Sequence, residues 1–489
     1  MKEIGRVFIA NRADSARRIA LTCEKLNIDH AVAYTSDDED SLHVKENEGK
    51  KYWVSSYINI DSILNAAREF KADALAPGIG FLAENPLLVR ACREANILFL
   101  GPSEEAMKIA GDKEAIKRIG KKQKVPVPPS SSLGAGAKNM AEWGKKHGLS
   151  NEQNSVRMML KAAHGGGGLG NQIVENFSDL ESILKRLKIK SKKLWKSSRI
   201  FLELLMPEVR HVEVQLLGDQ HRNLVALGTR DCSLQEHQQK IIEEAPAPFL
   251  SPEQEKLLYE YALRIGKAIK YSSVGTVEFL LGSNGDIFFM EFNPRLQVEH
   301  GVTELITGID LVEQQIRVAE GRKLTKAVKN PQFNGHAVEA RINAQTIGVV
   351  EEVIFPKGKD IRVDHSLYNG YKINPNCAPT QAKVMARSDD REGAIDALKI
   401  ALGELVVKGI ETNIPLLKSL LSHPKFQKGE HTTKFVEDWL ADKKNREKAA
   451  AIGVGLALAF GDQQIKDQRE AMSRPMSAWK LAGRMNQFR

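Results

Sequence analysis

Two carboxylates and an amide stand out in residues 276–300, where TVEFLL is followed by NGD and then by EFNPRLQVEH. In a strand, Val277, Glu278 and Phe279 point alternately to opposite faces, and Asn284-Gly285-Asp286 is a turn sequence able to reverse the chain. The returning run Ile287-Phe288-Phe289-Met290 then brings Glu291 up beside Glu278, with Asn293 two residues on and on the same face. Oxygen donors of this kind suit Mg²⁺, a hard cation that keeps waters and shares itself with substrate phosphates. Two surface carboxylates on a hairpin are the plainer alternative. Arg295, Gln297 and Glu299, alternating with apolar residues at the strand end, favour a site.

A second group lies upstream. Lys161 ends an apolar strand and directly precedes His164-Gly165-Gly166-Gly167-Gly168-Leu169-Gly170. Glycine lets backbone amides approach phosphate oxygens, and a nearby lysine adds a positive point charge. GGGGLG lacks the GK[ST] ending of a Walker A loop and is not a dinucleotide fingerprint. A flexible linker is the alternative; the lysine at the strand end favours phosphate binding.

The elements that must position these groups follow from periodicity. The first hundred residues alternate strand and helix: a strand at 7–10, a helix at 15–26, a strand at 30–34, a helix at 60–70, then short strands at 74–76 and 97–100. That alternation implies a parallel sheet with helices on its faces. Gly78, Gly80 and Gly101-Pro102 fall after strands, where open α/β sheets bind ligands. VPVPPSSS at 125–132 reads as a connector, the small unit after it as a glycine-hinged lid, and a fresh start falls near Asn330-Pro331.

Composition bounds the rest. At 489 residues, 42% hydrophobic and 27% charged, the chain suits a folded protein of several units. Cys23, Cys92, Cys232 and Cys377 are scattered, with no metal-ligand spacing, and the start carries no signal-peptide pattern, so a reducing cytoplasm is expected. The longest apolar stretch, 449–460, is about half of the roughly 20 residues that span a bilayer. The net charge of +9 is locally concentrated: residues 185–199 carry eight basic residues and no acidic one. A solvated helix face explains that run better than nucleic-acid binding, because no nucleic-acid motif accompanies it.

The glycine loop, the strand lysine and the Glu…Glu-x-Asn cluster together resemble the ATP-grasp superfamily, and within it biotin carboxylase. The resemblance runs from about Val7 to Trp439 through IANR, PGIGFLAEN, GDK, RHVEVQ, RDCSLQ, KIIEEAPAP, EFNPRLQVEH and HAVEARINA. It implies an α/β (mixed α+β) fold: an N-terminal Rossmann-like pre-ATP-grasp domain at 1–112, an ATP-grasp domain at 113–330 with a mobile lid at about 132–205, a C-terminal mixed, β-rich domain at 331–442, and a tail at 443–489 that is a candidate for partner docking. Carried over by motif, Lys113, Lys161, Gly165, Gly166, Gly167, Gly168, Glu203, His211 and Gln235 would serve ATP. Glu278, Glu291 and Asn293 match the Mg²⁺ (or Mn²⁺) cluster, and Lys240, Arg295, Gln297 and Val298 the bicarbonate pocket. Glu299 matches the general base, and Arg341 the residue that stabilises the enolate of biotin.

The implied activity is a ligase reaction: ATP and bicarbonate give carboxyphosphate, and biotin on a separate carrier protein is carboxylated. This is the first half-reaction of an acyl-CoA carboxylase, as in fatty acid metabolism, or of a pyruvate carboxylase. Residues 470–473, EAMS, lack the acceptor lysine of a biotinylation sequence, so the expected partners are a biotin carboxyl carrier protein and a carboxyltransferase subunit, with a homodimer and with neither nucleic acid nor membrane. The chain departs from the family pattern at Ala76, Ile79, Leu169, Leu204, 236–238 and 376–380, mostly around acceptor and nucleotide. An ATP-grasp ligase with another acceptor and a weakly active structural subunit are the alternatives.

Overall fold

The computed structural model describes residues 3–132, 135–152, 155–163, 170–195, 197–206 and 208–442. Gly165, Gly166, Gly167, Gly168 and the tail at 443–489 lie outside the described residues.

The N-terminal alternation builds the expected parallel sheet. Strands β1 (Arg6–Ile9), β2 (Asp29–Tyr34), β3 (Lys51–Trp53), β4 (Ala74–Ala76) and β5 (Leu98–Phe99) take the order β3-β2-β1-β4-β5. Val7, Phe8 and Ile9 are wholly buried because helices cover both faces of such a sheet. The first helix spans Ala13–Lys25 and so begins two residues before the expected start. After β4 the chain turns through Gly78 and Gly80, whose φ values of 63° and 71° suit glycine. A Cβ at Gly78 would lie 2.7 Å from the Asn11 amide, which donates to the carbonyls of Pro77 and Ile79.

A smaller unit follows. Strands β6 (Met158–Ala162), β7 (Asn171–Val174) and β8 (Ile200–Leu204) form an antiparallel sheet in the order β7-β6-β8. Helices Ala137–Lys146 and Leu180–Trp195 close it around Met140, Leu160, Leu184 and Leu202. The basic run lies largely on the second helix, which buries Leu184 and Leu187 while Lys185, Arg186, Lys190, Lys192 and Lys193 face solvent. This is the amphipathic pattern of a solvated helix face.

The remaining strands are β9 (Arg210–Gly218), β10 (Leu224–Glu236), β11 (Gln239–Ala245), β12 (Ser273–Leu281), β13 (Ile287–Asn293) and β14 (His336–Asn343), then β15 (Glu352–Ile354), β16 (Ile361–His365), β17 (Thr380–Ser388) and β18 (Val406–Lys408). All but β15 and β18 join one eight-stranded sheet, ordered β13-β12-β9-β10-β11-β14-β17-β16, so strands on both sides of residue 330 share a single hydrogen-bonded layer. Its period of two sets up the site. On β9, Val212, Val214 and Leu216 meet the apolar face of helix Pro252–Ala268, while His211, Glu213 and Gln215 point the other way and are equally buried. At the far end Val338, Ala340, Val384 and Ala386 pack on helix Arg391–Glu404. The polar face is covered by helix His300–Thr307, through Val302 and Ile306 against Ala245, Ala337 and Met385. A buried polar face has to satisfy its charges internally. No helix among the described residues is long and apolar enough to cross a membrane.

Candidate active site

The hairpin β12–β13 turns through Gly285 at φ 87° and pairs Glu278 directly with Glu291 and Thr276 with Asn293. The juxtaposition expected from the NGD turn is therefore present, with one irregularity. A register shift between Glu278 and Phe279 leaves Met290 as an extra residue, the signature of a β-bulge. The Asn293 amide donates to Glu278 Oε1 at 2.8 Å, and Lys113 Nζ lies 3.3 Å from Glu291 Oε2.

Glu278 joins several partners at once. Oε1 also accepts from Lys240 Nζ and from the Gln297 amide, each at 3.1 Å, and Oε2 lies 2.9 Å from His211 Nε2. The Gln235 amide nitrogen, which also donates to the Cys232 carbonyl, lies 2.8 Å from His211 Nδ1, so Nδ1 accepts and Nε2–H donates to Glu278. Burial works to raise the Glu278 pKa, but Lys240 and His211 hold it far below the usual carboxylate range.

Lys240 bridges three acids: Glu213 at 2.7 Å, Glu278 at 3.1 Å and Glu299 at 2.6 Å. Glu299 occupies the N-cap of helix His300–Thr307, and its second oxygen accepts from Arg341 Nη2 at 3.0 Å. Burial opposes its ionisation, yet Lys240, Arg341 and the buried Arg230 hold it well below the usual range. Arg295 donates to Glu84 at 2.6 Å and to the Gln297 side-chain oxygen at 2.8 Å, and the Val298 carbonyl accepts from Lys383 at 2.9 Å. Lys240, Glu278, Gln297, Glu299 and Arg341 thus form one connected network, with Arg295 joined through Gln297.

A second cluster brings together two of the nucleotide candidates, Lys161 and Glu203, while His211 and Gln235 belong to the Glu278 network and Lys113 lies beside Glu291. Glu203 on β8 binds both Lys161 and Lys117, the latter on helix Lys113–Lys122 one turn after Lys113. Two ammonium groups share one carboxylate, leaving an excess positive charge. Burial, with Lys161 adding repulsion, lowers Lys117 to about 8 despite Glu203, and the two lysines hold Glu203 at about 2 against its own burial.

Lys117, Glu213, Arg230, Glu243 and Glu84 were not singled out by residue type and spacing. Polar residues at alternate positions of an otherwise apolar strand, as in His211-Val212-Glu213-Val214-Gln215, are the signal that finds Glu213. Arg230 is paired in register with Glu213 and donates to it, to Gln215 at 2.7 Å and to Thr303 at 2.9 Å. Around the acceptor end, Ala76 is buried within β4, Ile79 packs against the core cluster that holds Leu100 and Leu296, and Arg12 donates to the Asn376 carbonyl at 3.2 Å. His237 and Gln238, with φ values of 51° and 64°, form the two-residue turn between β10 and β11.

Three family models match along the chain: the biotin carboxylase N-terminal domain at residues 3–107, the ATP-binding domain of the carbamoyl-phosphate synthase L chain at 112–327, and the biotin carboxylase C-terminal domain at 339–438. A biotin carboxylase of Halalkalibacterium halodurans is 40% identical over 454 residues, which cover 90% of this chain and 99% of that protein. A crystal structure of a biotin carboxylase complex with β,γ-ATP from Campylobacter jejuni superposes with a TM-score of 0.84 at 36% identity, covering 89% of this chain and 99% of that one. The biotin carboxylase domain dimer of Hydrogenobacter thermophilus 2-oxoglutarate carboxylase, in complex with MgADP, ADP and bicarbonate, gives a TM-score of 0.85 at 34% identity over 90% of this chain and 98% of that one. With its parallel N-terminal sheet, its eight-stranded sheet and these matches along nearly its whole described length, the chain belongs to the biotin carboxylase family, ATP-dependent ligases of the ATP-grasp type.

Proposed function

We propose that this chain carboxylates biotin held on a separate carrier protein, using ATP and bicarbonate, as the first half-reaction of an acyl-CoA or keto-acid carboxylase. The observation that carries the reading is Glu299, a buried carboxylate held between Lys240 and Arg341 beside the Glu278 cluster. Arg295, Lys240, Gln297 and the Val298 backbone would bind bicarbonate. An anion seated there shares the cations that now hold Glu299, so the carboxylate becomes more basic on binding and takes the bicarbonate proton. Lys113, Lys161, Glu203, His211, Gln235 and the glycines at 165–168 would hold the nucleotide. Arg341, 3.0 Å from Glu299, would stabilise the oxyanion that biotin develops.

The donor set of Glu278, Glu291 and the Asn293 amide is all oxygen once that amide turns its carbonyl inward, which fits Mg²⁺ or Mn²⁺. A metal bound there would neutralise charge on the phosphates during transfer. Residues 132–205 are proposed as the lid, since they carry their own core and meet the helix Lys113–Lys122 through Lys117 and Glu203. A homodimer, a carrier protein and a carboxyltransferase subunit are the proposed partners. A reducing cytoplasm suits four unpaired cysteines. The packing of Ile79 into the core cluster favours a reshaped acceptor pocket and keeps a different acceptor as the second reading. ATP cleavage measured with and without bicarbonate, Mg²⁺ and free biotin separates the two. Under the main reading cleavage requires the first two and accelerates with biotin; cleavage that needs bicarbonate but ignores biotin supports the second.

A further inference from the structure

The face of β11 and β14 that looks toward helix His300–Thr307 carries two acids absent from the reaction scheme above, Glu243 and Glu339. They are paired directly across the strands, and both are wholly buried. Opposed residues in an antiparallel pair hold their Cβ atoms about 4.5–5.5 Å apart. Glu243 Oε1 accepts from Arg341 Nε at 2.6 Å, but Glu243 Oε2 has no hydrogen-bond partner, and neither does either oxygen of Glu339.

The surroundings offer little to ionised oxygens. From β17, Met385 is in register with Glu339 and brings only a thioether. Lys383 on the same strand directs its ammonium to the Val298 carbonyl at 2.9 Å and toward Asp14 at 3.3 Å and Asp364 at 3.6 Å. From the covering helix comes Gly301, whose added Cβ would lie 3.6 Å from Glu339 Oε2, and at its N-cap Glu299, a further negative charge. On its own strand, Arg341 is taken up by Glu243 and Glu299. A buried carboxylate without donors costs far more than the neutral acid. Burial drives Glu339 well above the ordinary carboxyl range, with Glu243 and Glu299 reinforcing it against Lys383 and Arg341.

We propose that Glu339 is a positioning acid: its carboxyl keeps a proton that it donates to Oε2 of Glu243, so the pair bears one negative charge and Glu243 Oε1 stays fixed against Arg341. The shared proton supplies the missing partner of Glu243 and leaves Glu339 with a neutral carbonyl oxygen, the form least costly to bury. Arg341 is thereby held between Glu243 and Glu299 rather than drawn toward a third anion. The protonated pair stands on this geometry alone; its consequence for turnover rests on the role proposed for Arg341.

Infrared spectroscopy of the whole protein tests it. The wild type should show a protonated-carboxyl C=O stretch that shifts in D₂O and persists from about pH 6 to about pH 8, the range reached by buried glutamic acids. That band should vanish in Glu339→Gln. Absence of the band in the wild type, or its survival in E339Q, overturns the proposal. In turnover, E339Q retains a donor and should stay within about threefold of wild type, whereas E339L, of similar volume with no donor, should lose about tenfold or more in kcat at unchanged KM for ATP. Equal impairment of both variants would mean that the negative charge of Glu339 is what matters, against the proposal. If the biotin reading itself fails, the wild type shows no biotin-stimulated turnover while the infrared band is still present.

Discussion

At Glu299 two cations, Lys240 and Arg341, contend for one carboxylate, and under the proposed reading the chemistry depends on how they let go. Replacing Glu299 by Gln keeps the hydrogen-bonding shape and removes the proton acceptor. Bicarbonate-dependent turnover should fall by about 10²–10⁴-fold, while calorimetry should show nucleotide binding retained; an unchanged rate removes Glu299 from the role of base. Lys117 gives a pH test with a definite sign. Its folded-state value of about 8 lies below the ordinary lysine value of 10.5, so the buried ammonium costs stability below about pH 8 and that cost is relieved as pH rises toward 10.5. A bound triphosphate favours the charged form, so nucleotide affinity should weaken as pH climbs through about 8. Lys117→Met should raise the thermal midpoint of the free protein at neutral pH, weaken ATP binding and flatten that pH dependence. A variant that binds ATP as tightly as wild type would separate Lys117 from the nucleotide.

At the scale of elements, the strands explain which site residues were legible in the sequence. The opposition of Glu278 and Glu291 follows from a turn sequence and strand alternation, both local properties, and it is found; the bulge at Met290 is not, because a bulge depends on the register of both strands. Glu213 and Glu243 sit inside motifs that were recognised, yet their role emerges only when β9, β10 and β11 lie side by side. A charge in a buried strand reads as misplaced until its partner strand is known. Lys117 looks like an exposed helix lysine in KEAIKRIG, and only the approach of β8 shows that it is buried. The helix Pro252–Ala268, which supports the apolar face of the sheet, is started by a capping box between Ser251 and Gln254. Ser251→Ala should cost about 1 kcal/mol in urea unfolding and leave turnover unchanged, because no site residue lies on that helix.

For the whole molecule, the joint between the N-terminal sheet and the eight-stranded sheet is the feature least visible in sequence. Glu304, on the helix that begins at His300, accepts from Arg18 at 2.8 Å and from Arg362 at 2.7 Å, joining three segments far apart in the chain. Against its burial, Arg18, His300 and Arg362 lower Glu304 to about 2. Since the folded value lies below the ordinary 4.5, the stabilisation is complete above that pH and is lost as pH falls toward about 2. Glu304→Ala removes the acceptor shared by Arg18 and Arg362, which keep Asp310 and Asp364 as partners, and should cost about 1.5–3 kcal/mol by denaturant unfolding; a loss below about 1 kcal/mol would show the joint to be solvated. The parallel N-terminal sheet was legible because its crossovers are short and local, whereas the sheet shared across residue 330 depends on pairing of distant strands. The central claim, that this polar sheet face carboxylates biotin, is tested most directly by following the labelled carbon of bicarbonate in the presence of Mg²⁺, ATP and biotin. The account predicts label in biotin in step with ADP formation, abolished in E299Q; ADP formed from bicarbonate and ATP with no label in biotin, free or carrier-borne, would contradict it.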